Sequence, residues 1–333
     1  MNSSNETFYP LDFWFNFYGY PYIIDLVIGY FITPAWVLSL IFSAFSLFIL
    51  LKHTFFASNF FSFMRLYVVN CLILSALSLT TILPFTRRFL SFSNTYEAAV
   101  YGNYAFWFIV NSLTLYSSCI EICLVVERIL YLLPGRFTRM KFLGFKTFFF
   151  FLFILSFLVN VPGIFLFEPA FGDVQLDEKT NFRVWYIGYT SFSFSLAGQI
   201  FGYIFRDILP MIFNIGLNSL SIYLVRNYVK NKQRLTAATI NNSEMANFDR
   251  KQTYVALGMS TFSLLEHILI ISSYVLFFIN NYDLSNLLLA LGLLLIAIKH
   301  ALIFFVLLLF NSLFRNEVIN CFKNAHLCTS STD

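Results

Sequence analysis

The chain has 333 residues, of which 59% are hydrophobic, 20% aromatic and only 11% charged, and its net charge is +4. Soluble domains carry about 25% charged residues, so this composition excludes an ordinary soluble fold. The stretches between apolar runs are too short for a separate catalytic domain, and no enzymatic activity is expected.

Residues 1–26 form a polar and aromatic extracellular tail with two sequons, at Asn2 and Asn5, which favour an outside N-terminus as glycosylation sites. No basic region followed by a short apolar run and a cleavage site opens the chain, so no signal peptide is expected. A membrane-crossing helix needs about 20 apolar residues. Runs of that kind fall at about 27–51, 64–85, 102–133, 145–167, 198–226, 252–280 and 285–311. Residues 168–197 read as a polar loop, 227–251 as the most hydrophilic connection, and the last two runs are separated by a tight turn, NNYDLS. The fold class expected is an all-α membrane protein, a seven-transmembrane helix bundle over 27–311, followed by a short amphipathic interfacial helix and tail over 312–333. In that last stretch Phe314, Val318 and Phe322 recur every four residues, opposite charged positions. Cys321 lies on the same helix and is a palmitoylation candidate, or an unmodified interfacial cysteine. The other cysteines have neither a disulfide framework's nor a metal site's spacing, and no metal or cofactor is expected.

An odd number of crossings puts the two chain ends on opposite sides. Lysine and arginine concentrate in 134–146, 227–251 and after the seventh run, which assigns those segments to the cytoplasm and the N-terminus to the outside. Basic residues there are explained by orientation and lipid head groups, not by nucleic acid.

The third run, SSCIEICLVVERILYLLP, ends in an adjacent acid and base, Glu127 and Arg128, followed by Pro134 and the basic stretch that begins at Arg136. Together with seven runs and a Phe-Arg amphipathic segment, this resembles the rhodopsin-like G-protein-coupled receptors, in a divergent form of the invertebrate chemoreceptor or orphan type. The resemblance covers nearly the whole chain as architecture. It implies a plasma-membrane receptor that couples an extracellular chemical or peptide to heterotrimeric G protein. Glu127 would then hold Arg128 at rest, and Arg128, Pro134 and Arg136 would belong to the coupling face. Several family marks are missing. The tyrosine after Glu127-Arg128 is Ile129, the outer cysteine of the third span falls on Asn103, the sodium-binding aspartate falls on Ser75, and the Asn-Pro-x-x-Tyr motif falls on Ile303–Leu307. If Phe262 takes the place of the aromatic before the sixth span's tryptophan, Glu266 takes the tryptophan's place.

Ionisable groups inside apolar runs are costly there, by about 2.5–3.5 kcal/mol at the bilayer centre. They are Glu121, Glu266, His267, Lys299 and His300. The register of the sixth and seventh runs predicts a buried Glu266–Lys299 ion pair, with Glu121 or His300 as a further polar partner. Such a pair fixes packing as readily as it switches. An opsin's retinal-bearing lysine would fall on Ala297; Lys299 is two residues on, roughly 200° around a helix, which argues against a retinal site. The amine-binding aspartate of related receptors would fall on Val110. Trp107, Val110, Asn111 and Thr114 are the ligand-pocket candidates, although aromatic residues at helical spacing equally mark plain packing. The competing class is a polytopic transporter or channel; the odd count of runs and the lack of an internal repeat argue against it.

Overall fold

The computed structural model describes residues 27–52, 59–82, 96–132, 145–165, 167–177, 180–190, 200–235, 243–279 and 281–329. Seven of its helices are long and apolar enough to cross a bilayer, the make-up of a multi-pass membrane protein. In chain order they are α1 (Thr33–Lys52), α2 (Asn59–Ile82), α3 (Asn111–Leu132), α4 (Phe145–Asn160), α5 (Leu209–Leu235), α6 (Ser243–Phe278) and α7 (Tyr282–Phe310). A further helix, α8 (Ser312–Thr329), follows α7.

The bundle is apolar outside, and inside it polar side chains are set among a larger apolar core. Leu51, Phe150, Leu158, Phe213 and Leu309 are each more than half exposed, as side chains solvated by lipid tails would be. On α1, Ser39, Ser43 and Ser46 recur at i, i+4 and i+7 and are all buried. Small hydroxyl residues let helix backbones approach closely and bond across the contact. Ser39 Oγ lies 2.7 Å from Ser75 Oγ of α2, and Ser75 donates to the Cys71 carbonyl at 2.7 Å, so Ser39 supplies the proton between the two hydroxyls. Asn70 of α2 ties α3 in the same way, donating to the Leu113 carbonyl at 2.9 Å and to Ser117 Oγ at 2.6 Å. Gly292 of α7 lies close against α6: a Cβ there would come within 2.9 Å of Ile270 Cγ1.

Wider π-helical winding leads into several helices, over Val27–Ile32, Gly102–Val110 and Ile200–Ile208. Pro210 follows the last of these; it lacks an N–H for the helical ladder, and a locally rewound turn accommodates that loss. The joint between α7 and α8 is made by Asn311. Its backbone N–H donates to the Leu307 carbonyl at 2.9 Å and closes α7, while its side-chain oxygen accepts from the Phe314 N–H at 3.0 Å and caps α8. Phe314 and Val318 of α8 are buried and Phe322 is 60% exposed, lying 6.2 Å from the Phe45 ring of α1.

One expectation is corrected. The fold is not purely helical: within the stretch read as a polar loop, β1 (Phe167–Asp177) and β2 (Thr180–Tyr189) pair antiparallel, from Phe167 opposite Tyr189 to Asp177 opposite Thr180. The hydrophilic segment 227–251 lies beyond the apolar spans as expected, and the helices run on into it. Helix α5 continues to Leu235 and α6 starts at Ser243, well ahead of its apolar part.

Candidate functional site

Two polar centres stand out, and both arise from side chains that the bilayer would otherwise expel. The first is deep in the bundle. Lys299 of α7 is 1% exposed, and its Nζ lies 2.7 Å from Glu266 Oε2 of α6 and 3.2 Å from Glu121 Oε1 of α3. Tyr67 of α2, also fully buried, donates its hydroxyl to the same Glu121 oxygen at 2.5 Å. Four helices are thereby joined through one ammonium, two carboxylates and a phenol. The residues reach one another because Lys299 sits on the face of α7 that carries Ile296, His300 and Ile303, all buried.

His300 adjoins this centre without joining its ion contacts. Its ring lies 5.7 Å from the Trp36 ring and 6.1 Å from the Tyr67 ring, and neither ring nitrogen has a hydrogen-bond partner. His267 instead turns Nδ1 to the Ser263 carbonyl oxygen of its own helix, 2.7 Å away. Of the predicted polar group, the structure therefore brings together Glu121, Glu266 and Lys299. Tyr67 was not singled out in the sequence; its only signal there is a phenol in mid-run, which has to find a partner when buried. Ala297, the position an opsin's lysine would occupy, is fully buried in an apolar cluster with Trp36, Leu74 and Ile296.

The second centre is at the end of α3. Arg128 is 4% exposed and forms a salt bridge with its neighbour Glu127. Its guanidinium carbon also lies 4.8 Å from the centroid of the Phe60 ring of α2. A planar, weakly hydrated cation suits both contacts at once. One turn earlier Val125, with Ile129 and Ala256, forms a small apolar plug against Leu217 and Leu224 of α5. Arg128 thus sits at the boundary of the apolar packing, where a modest change in helix separation would alter its surroundings. Pro134 and Arg136 lie outside the described residues.

At the opposite end of α5 and α6, Arg206 pairs with Asp207 at 2.9 Å and donates to the Tyr274 hydroxyl of α6. This contact was not anticipated from the sequence, because an Arg-Asp neighbour pair carries no signal about which helix it meets. Of the pocket candidates, Val110 is buried in the same apolar cluster as Ala297, and the Thr114 hydroxyl donates back to the Val110 carbonyl at 2.9 Å. Asn111 is half-buried, while the side chain of Trp107 lies outside the described residues. The sequons at Asn2 and Asn5 also fall outside them. On α8, Cys321 is half-buried with Lys52 Nζ 3.9 Å from its sulfur, and the same ammonium lies 3.5 Å from Glu317. Among the described residues no three potential metal ligands cluster.

No family model matches the chain, and no curated protein matches it. Fold and polar centres together define a seven-helix integral membrane protein with a charged core.

Proposed function

We propose that the chain is a receptor of the plasma membrane that relays an extracellular chemical or peptide signal to heterotrimeric G protein by changing conformation. The observation that carries this is the Arg128 arrangement: a guanidinium at the end of a membrane-length helix, held by the adjacent Glu127 and capped by Phe60. Neighbouring residues on one helix face different directions. This pair therefore bends back on itself, and Arg128 reaches a new partner once α3 and α6 part. A ligand that binds the parted form better shifts the population toward it. The distribution of lysine and arginine supports an outside N-terminus, with Arg128 and the segments 134–146 and 227–251 facing the cytoplasm. In that setting α8 lies along the inner membrane surface with Cys321 available for palmitoylation.

The deep Glu121–Glu266–Lys299 centre favours one other reading, an ion-coupled transporter, because ionisable groups inside a membrane bundle commonly line transport paths. The two are separated by measuring guanine-nucleotide exchange on G protein supplied to membranes that hold the chain, alongside ion flux in reconstituted vesicles. Exchange that depends on Arg128 supports the receptor; flux that depends on Lys299, with no exchange, replaces it with the transporter.

A further inference from the structure

The deep centre does not balance. Two carboxylates face one ammonium, and none of the three residues is more than 1% exposed. With all three ionised, one negative charge is left over on side chains closed off from solvent, where an uncompensated ion is poorly tolerated. Among the described residues, the elements packed around it bring no second cation into ion-pair contact with either carboxylate. Helix α2 presents Tyr67 and Cys71, neither of which becomes positive. Arg206, in the turn that leads into α5, is paired with its own neighbour Asp207. Helix α6 brings His267 beside Glu266, and α7 brings His300 beside Lys299. Among the described residues neither histidine has a carboxylate within ion-pair distance, and an imidazolium at 300 would stand next to the ammonium with no acceptor.

We propose that the centre is a proton-binding site, in which Glu121 holds one hydrogen on Oε2 as a neutral carboxylic acid while Lys299 and Glu266 form the charged pair. The geometry distinguishes the two acids. Lys299 is closer to Glu266, at 2.7 Å, than to Glu121, at 3.2 Å. Both donors that approach Glu121, the Tyr67 hydroxyl and the Lys299 ammonium, meet the same oxygen, Oε1. That is the pattern of a carbonyl-type oxygen. Oε2 is buried without a hydrogen-bond partner and is left to carry the hydrogen. The step is a single proton transfer: a hydronium ion of the solvent gives one proton to the carboxylate, its O–H bond breaks as the O–H bond on Oε2 forms, one water molecule is released, and the charge of the centre goes from minus one to zero. The site does not depend on whether the bundle signals or transports, since any opening around Glu121 would exchange this proton with solvent.

The test uses the full chain in lipid nanodiscs at neutral pH and reads the infrared carbonyl stretch of a protonated carboxyl, which lies clear of the amide bands and shifts in heavy water. Exposed acids are ionised at this pH and do not contribute. The expected result is one such band in wild type, lost in Glu121→Gln, with that variant folded and monodisperse because its neutral amide replaces a neutral acid. Glu266→Gln, which strips Lys299 of its counter-ion, is expected to lose most of its folded protein. The proposal is overturned if wild type has no such band, if the band survives Glu121→Gln, or if Glu121→Gln is the variant that fails to fold while Glu266→Gln is tolerated.

Discussion

Replacing Lys299 by methionine keeps an unbranched chain of similar length and removes the ammonium from the middle of the bundle. At an effective dielectric constant of about 20, a contact of 2.7 Å to the ionised Glu266 is an attraction of about 6 kcal/mol, while the neutral Glu121, 3.2 Å away, adds an ion–dipole contact and no second ion pair. Most of that gross attraction is offset by what it costs to bring the ions out of water. Stripping one partner from a buried pair nevertheless leaves the other stranded, and the net loss is about 3–5 kcal/mol. Lys299→Met is therefore expected to lower the unfolding free energy by that amount in a mixed-micelle denaturation titration. Adding Glu266→Gln to it should recover most of the loss, because a neutral replacement of the whole pair is often close to isoenergetic. The reversed pair, Glu266→Lys with Lys299→Glu, should restore the surface expression that each single change abolishes. The reasoning fails if Lys299→Met unfolds within about 0.5 kcal/mol of wild type, the range of an ordinary surface substitution, or if the reversed pair is no better than either single variant.

Tyr67→Phe removes one hydrogen bond to Glu121. If Glu121 is neutral the expected loss is about 1 kcal/mol, whereas a bond to an ionised carboxylate would be worth about 1.5–3 kcal/mol, so the same titration also bears on the protonation of Glu121. Gly292→Ala drives a methyl group to 2.9 Å from Ile270 Cγ1 and should destabilise by about 1–3 kcal/mol, with relief when Ile270→Ala is added. Lys52→Ala breaks a partly exposed contact to Glu317 at 3.5 Å and should change stability by less than about 1 kcal/mol. A larger loss would mean that α8 is held to α1 chiefly by charge rather than by the buried Phe314 and Val318.

The seven long helices were legible because membrane-length apolarity is a local property of composition, readable one window at a time. The β1–β2 hairpin was not, although the run Val184-Trp185-Tyr186-Ile187 has the residue types of a strand. Strand pairing depends on a distant partner, and the acids and lysine between the two strands read as a solvated loop. The start of α6 at Ser243 was missed for a related reason: once a helix leaves the apolar layer, length and hydropathy no longer mark it. In the deep centre, helical register brought Glu266 and Lys299 to facing positions, but it left open whether Glu121 or His300 joined them. That choice depends on how α2 and α3 pack. Tyr67 occupies one side of Glu121 and His300 makes tilted ring contacts with Trp36 and Tyr67, and neither arrangement has a periodic signature in the chain.

The role given to Arg128 is tested most directly by basal guanine-nucleotide exchange on purified G protein, measured with membranes that hold equal amounts of wild type, Glu127→Gln and Arg128→Ala. Removing the carboxylate that holds the guanidinium should raise basal exchange above wild type, and removing the guanidinium should abolish it. Equal exchange from all three, at the level of membranes without the chain, would contradict the receptor account.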